Sequence, residues 1–67
     1  YGLKGAAKNG HLEVVKLLLK DGRSDPTDDD HKALYLALVN RNYDIAREFK
    51  KFYIENNLSY PYLYYLI

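Results

Sequence analysis

The densest pattern of apolar and polar positions lies between Ala6 and Gly22, AAKNGHLEVVKLLLKDG. Leu12, Val14, Val15, Leu17, Leu18 and Leu19 are apolar, while Glu13, Lys16 and Lys20 recur at a spacing that places them together on one narrow helical face. A helix with so thin a wet face must be covered on two or three sides, and only neighbouring elements can supply the cover. Ala6 and Ala7 just upstream allow a preceding helix to approach closely, and Gly10 permits a tight turn between the two. The unit is an antiparallel helix pair suited to stacking against similar pairs.

The second half repeats the theme. Ala33, Leu34, Ala37 and Leu38 fall at helical spacing, and so do Ile45, Phe49, Phe52 and Tyr53. The pattern predicts four helices over 3–9, 12–21, 31–41 and 43–56, with Leu18, Leu34, Leu38, Ile45 and Phe49 in one shared core. Gly22 stands where a helix ends in a left-handed residue. Pro26 blocks helix continuation through the polar stretch RSDPTDDD. Asp28–Asp30 load negative charge onto the next helix start, with Asp30 expected as its N-cap, and Asn42 is the expected N-cap of the last helix.

Laid on each other, the halves match at an offset of 31, Leu3 to Leu34. Ala6 pairs with Ala37, Glu13 with Asp44, Val14 with Ile45, Lys16 with Arg47 and Leu18 with Phe49. The run from Leu3 to Gly22, L-x-x-A-A-x-x-G-H-L-E-V-V-K-L-L-L-x-x-G, closely resembles the helical part of the ankyrin repeat. That resemblance implies an all-α, ankyrin-like solenoid of stacked antiparallel helix pairs, acting as a protein–protein interaction module without chemistry of its own. The offset is shorter than the usual period of about 33, so the projecting β-turn fingers are expected to be short or absent. The T-P-L-H tetrapeptide that opens the first helix of the pattern is replaced by Lys32-Ala33-Leu34-Tyr35. The chain divides into repeat one over about 1–24, repeat two over about 25–57 and an aromatic tail over 58–67.

The mismatches suggest a role for the second copy. Leu17 is matched by Glu48, Leu19 by Lys50 and Val15 by Ala46. Repeat two is thus expected to carry polar groups on a face that repeat one buries, as terminal repeats of solenoids do. The tail LSYPYLYYLI contradicts a clean ending. It reads either as a truncated third repeat opening near Pro61 or as an aromatic plug packed on Phe49, Phe52 and Tyr53.

Composition narrows the function. Ten basic and nine acidic residues leave a net charge of +1, too little for strong electrostatic attraction to nucleic acid or a membrane surface. Cysteine is absent, which excludes disulfide staples and thiolate metal sites and fits an intracellular, cytoplasmic setting. Asp25, Asp28, Asp29, Asp30 and His31 lack the central glycine and closing glutamate of a calcium loop, so they read as a helix-start cluster. No metalloprotease helix, phosphate-binding glycine loop or nucleophile elbow occurs. The expectation is a non-enzyme with no cofactor and no metal, contacting an unknown protein partner. Position in the repeat nominates Lys8, Asn9, Asp28, Asp29, Lys32, Asn40 and Arg41 as contact residues. The alternatives are a structural capping piece of a longer solenoid and an accessory or targeting domain of a larger protein. With so small a core, the isolated chain is also expected to be weakly stable or to self-associate.

Overall fold

A computed structural model of the chain describes residues 2–59. Both alternatives for the aromatic tail concern 60–67 and lie outside the described residues. Four helices run in order: α1 Leu3–Asn9, α2 Leu12–Asp21, α3 Asp28–Val39 and α4 Tyr43–Glu55. No strand occurs among the described residues, so the connection 22–27 carries no β finger.

Each pair closes through a short turn. Gly10 sits at φ 77°, a left-handed conformation, and its N–H bonds to the Ala6 carbonyl. Gly22 ends α2 in the same way, at φ 79°, with its N–H on the Leu18 carbonyl. Two layers result, α1 against α3 and α2 against α4, with α1–α2 and α3–α4 as the helix hairpins. The inner layer is tight because its facing residues are small: Ala6, Ala7, Ala33 and Ala37 are all buried. Bulk enters from the other layer. Val15, Ile45, Phe49 and Tyr53 are fully buried together with Leu34 from α3. Burying a side chain such as Phe49 contributes about 1.5–3 kcal/mol, so these few residues hold most of what a chain this small can gain.

Of the expected core, Leu34, Ile45 and Phe49 are fully buried, whereas Leu18 and Leu38 are half-buried and pack against its edge. The same contrast runs through the repeat register. Ile45 and Phe49 of copy two are fully buried, while the matching Val14 and Leu18 of copy one are only partly buried against the core. Of the three positions compared between the copies, copy one exposes Leu17, at 66%, but buries Leu19, whose match Lys50 is half-buried. Val15 and Ala46, by contrast, are both fully buried.

The start of α3 also departs from expectation. Asp30 is not an N-cap. Asp29, Asp30 and His31 all adopt left-handed backbone, at φ 56°, 55° and 63°, and regular right-handed helix begins only after them. Three such residues in succession are unfavourable for side chains with a Cβ, although Asp tolerates the region better than most. The conformation is held by a local turn and by contacts from α4. Asp25 accepts hydrogen bonds from the Thr27 N–H at 2.9 Å and the Thr27 hydroxyl at 2.7 Å, closing a turn around buried Pro26. The Tyr53 hydroxyl donates to the Pro26 carbonyl at 3.1 Å. His31 Nδ1 lies 2.7 Å from the same hydroxyl. A hydroxyl has one proton and a carbonyl can only accept, so the Nδ1–H donates to Tyr53. This link fixes where α3 begins. At its far end α3 stops at Val39, two residues before the expected 41, and Arg41 turns left-handed at φ 59°.

Asn42 precedes α4 as expected, but its side chain does not cap that helix. It reaches across to copy one and donates to the Ala7 carbonyl at 2.8 Å and the Lys8 carbonyl at 3.3 Å. Gly10 lies beneath it, since a Cβ there would stand 3.4 Å from the Asn42 Oδ1.

Candidate functional site

The seven nominated residues are all exposed, on or beside the α1–α3 layer. They form two groups rather than one. Asp28, Asp29 and Lys32 stand at the start of α3, whereas Lys8, Asn9, Asn40 and Arg41 stand at the far ends of α1 and α3. Two of them have evident structural work. The Asn9 amide donates to the Gly5 carbonyl at 2.9 Å, and the matching Asn40 donates to the Leu36 carbonyl at 2.8 Å. The same side chain closes the last turn of the inner helix in both copies, satisfying carbonyls that a helix end leaves without partners.

Between the two groups runs a strip that the pattern of the sequence did not single out. On α1 it carries Lys4 and Lys8. On α3, at the matching positions, it carries Tyr35 and Val39, which are 44% and 53% exposed. Their place explains the exposure. Leu3, Ala6 and Ala7 turn inward on α1, as Leu34 and Ala37 do on α3; Lys4, Lys8 and Tyr35 each follow a residue of that inward set, and Val39 follows half-buried Leu38. The register held only a partial signal for this, since Lys4 and Lys8 match Tyr35 and Val39 at surface positions, whereas buried Leu19 matches Lys50 at another.

Electrostatics organise one end of the strip. The Lys4 ammonium lies 3.1 Å from an Asp28 carboxylate oxygen and 3.6 Å from one of Asp29. These contacts raise the Lys4 pKa, the hydrogen bond to Asp28 most of all. The three groups are exposed, so the pairing orients them and adds little to stability. The Lys32 ammonium sits 5.2 Å from the centre of the Tyr35 ring, a cation–π arrangement along one side of α3. Asp25, outside the strip, has its carboxyl held below the usual aspartate value by the Thr27 hydroxyl and then by the Thr27 N–H.

Among the described residues, no group of three or more His, Cys, Asp or Glu side chains converges in a way that could hold a metal ion. No helix of the described residues is long and apolar enough to cross a membrane. What the surface presents is an aromatic ring, a valine and flanking charges of both signs on two rigid helices.

Comparison with known proteins agrees with the helix-pair architecture. A family model of ankyrin repeats, described as three copies, matches residues 3–59. No curated protein and no solved structure matches the chain. Ankyrin repeats are in general protein-interaction modules rather than catalysts. With two stacked helix pairs and a family match over most of its length, the chain belongs to the ankyrin-repeat family.

Proposed function

We propose that this chain is a non-catalytic recognition module of two repeats, divided near Ser24, whose partner is a protein that docks on the α1–α3 layer. The observation that carries the reading is the exposed pair Tyr35 and Val39 beside Lys4 and Lys8. A half-exposed tyrosine on a rigid helix offers large contact area at little entropic cost, and such residues anchor protein interfaces. The nominated residues Lys8, Asn9, Asp28, Asp29, Lys32, Asn40 and Arg41 then form the polar surround at both ends of that strip. Mixed charge there favours selectivity for a partner with a matching pattern over general attraction to polyanions.

The test is a photo-crosslinking residue placed at position 35 and, as a control, at Lys20 on the opposite layer. The reading expects one discrete crosslinked protein from position 35 that disappears in a Lys8→Glu background. Crosslinking from Lys20 instead, or equally from both positions, would remove the α1–α3 layer as the binding surface.

A further inference from the structure

Three of the four helices end on the same device. The side-chain amides of Asn9, Asn40 and Asn56 donate to the carbonyls of Gly5, Leu36 and Phe52, one turn back, at 2.9, 2.8 and 2.9 Å. In each case the next residue turns left-handed, Gly10 at φ 77°, Arg41 at 59° and Asn57 at 56°. Its N–H is engaged as well, on the carbonyls of Ala6, Leu38 and Ile54 respectively. The three ends differ in one respect. Of the chain's five asparagines, only Asn9 precedes a glycine.

That difference has a chemical consequence. An asparagine carboxamide can reach the nitrogen of the following peptide bond, and closure forms a cyclic imide. A side chain on the following residue crowds the ring, and glycine has none. Asn9 and Gly10 are both exposed, so water reaches them. In the fold, however, both reacting groups are occupied, the Asn9 amide by Gly5 and the Gly10 N–H by Ala6. Asn42 holds the same turn from copy two through its bonds to Ala7 and Lys8. Imide closure therefore requires the last turn of α1 to open first. Asp21–Gly22 has a similar setting at the end of α2, but a carboxylate is a poor target for a nucleophile, and this one pairs with Arg23 at 2.6 Å.

We infer that Asn9 is a modification site, deamidated by attack of the Gly10 nitrogen at a rate set by opening of the joint between the copies. The Gly10 N–H gives its proton to solvent base, its nitrogen bonds to the Asn9 Cγ, and the Cγ–Nδ2 bond breaks with loss of ammonia. Water then opens the imide. Cleavage at Cγ leaves an aspartate, and cleavage at the main-chain carbonyl leaves an isoaspartate, whose extra methylene lies in the backbone. The sum consumes one water and releases one ammonia, with no oxidation or reduction. Either product loses the donor that held the Gly5 carbonyl and puts negative charge at a helix C-terminus, where the dipole disfavours it. The isoaspartate also shifts the Ala7 and Lys8 carbonyls away from the Asn42 amide, so the modification loosens the coupling between the copies.

Incubation of the full 67-residue chain in mildly alkaline buffer, followed by peptide mass mapping, tests this without any partner protein. Asn9 should gain the mass that separates an acid from an amide, while Asn40 and Asn56 stay unconverted when half of Asn9 has reacted. Opening is fast compared with this chemistry, so the rate follows the open population. It should rise at least about tenfold in guanidinium chloride, and about tenfold in folded Asn42→Ala, which frees the turn without touching Asn9. Should that variant be unfolded by circular dichroism, its rate should equal the denatured one. Conversion of Asn40 or Asn56 as fast as Asn9, or no conversion of Asn9 in denaturant, would overturn the site. Equal rates in buffer and denaturant would overturn its control by the fold.

Discussion

The Asn42 side-chain amide donates to the Ala7 carbonyl at 2.8 Å, joining the start of copy two's outer helix to the end of copy one's inner helix. The two residues are far apart in sequence, and the bond acts only when both helix pairs are formed and stacked. It therefore couples the folding of the two copies. Asn42→Ala should lower unfolding free energy by about 1–3 kcal/mol, because it leaves a partly buried carbonyl without its donor. Asn42→Asp should cost at least as much, since a carboxylate can only accept and would face two carbonyl oxygens. Urea unfolding followed by circular dichroism measures both.

Gly10 belongs to the same contact. Gly10→Ala must hold a left-handed backbone, its methyl in ordinary contact with the Asn42 side chain. The expected loss is about 1–2 kcal/mol from the backbone alone. At that distance the cost is that of the backbone and should be nearly the same in Asn42→Ala. A double-mutant cycle checks this, and a coupling well above about 0.5 kcal/mol would contradict it.

Tyr53 is buried, yet its hydroxyl accepts from His31 and donates to Pro26. Tyr53→Phe keeps the ring in place and removes both bonds. It should cost about 1–3 kcal/mol and release the left-handed turn at 29–31. Loss of the slowed amide exchange at His31, whose N–H bonds to the Thr27 carbonyl at 3.1 Å, would report that release.

That turn also marks how far the sequence was legible. Four helices, the Gly10 and Gly22 ends and the buried Leu34, Ile45 and Phe49 follow from spacing, because each depends on residues within one or two turns. Asp30 misled because three aspartates before an apolar run have the chemistry of an N-cap, while the actual backbone is set by Tyr53, more than twenty residues away. Leu17 misled for a related reason. Apolarity says that a residue can be buried, but only the number of stacked copies decides whether it is. Tyr35 and Val39 escaped notice because apolar residues on a helix suggest a core until their neighbours' orientation is known. The repeat register did not resolve it, because the same swap of apolar for cationic residue occurs at Leu19 and Lys50, where Leu19 is buried.

Core substitutions should follow burial rather than hydrophobicity. Phe49→Ala removes a fully buried ring and should cost about 3–5 kcal/mol, enough to unfold a chain of this size. Leu18→Ala, at the matching but half-buried position, should cost clearly less, and Leu17→Ala should be near neutral. Equal losses at Leu18 and Phe49 would mean that the two copies are covered alike.

Acid should weaken the turn before α3. The Asp25 carboxyl is lowered in the folded state, so the stability it adds is present above the unfolded aspartate value and is lost as pH falls through the lower folded value. In a urea series from neutral pH downward, the loss begins near the ordinary aspartate pKa of about 4 and continues below it. Asp25→Asn should flatten that part of the profile. Because Asp25 is exposed, the effect will be small next to the Tyr53 and Phe49 substitutions.

The central claim is that the α1–α3 layer, through Tyr35 and Val39, is where a partner protein docks. The most direct measurement is the affinity of the protein captured at position 35 for two doubly substituted chains, one carrying Tyr35→Ala with Val39→Ala, the other Lys16→Ala with Lys20→Ala. All four side chains are exposed or partly so, and both chains should fold. The account predicts at least a tenfold weaker Kd, about 1.4 kcal/mol, for the first and little change for the second. Unchanged affinity for the first chain, with loss confined to the second, would contradict it.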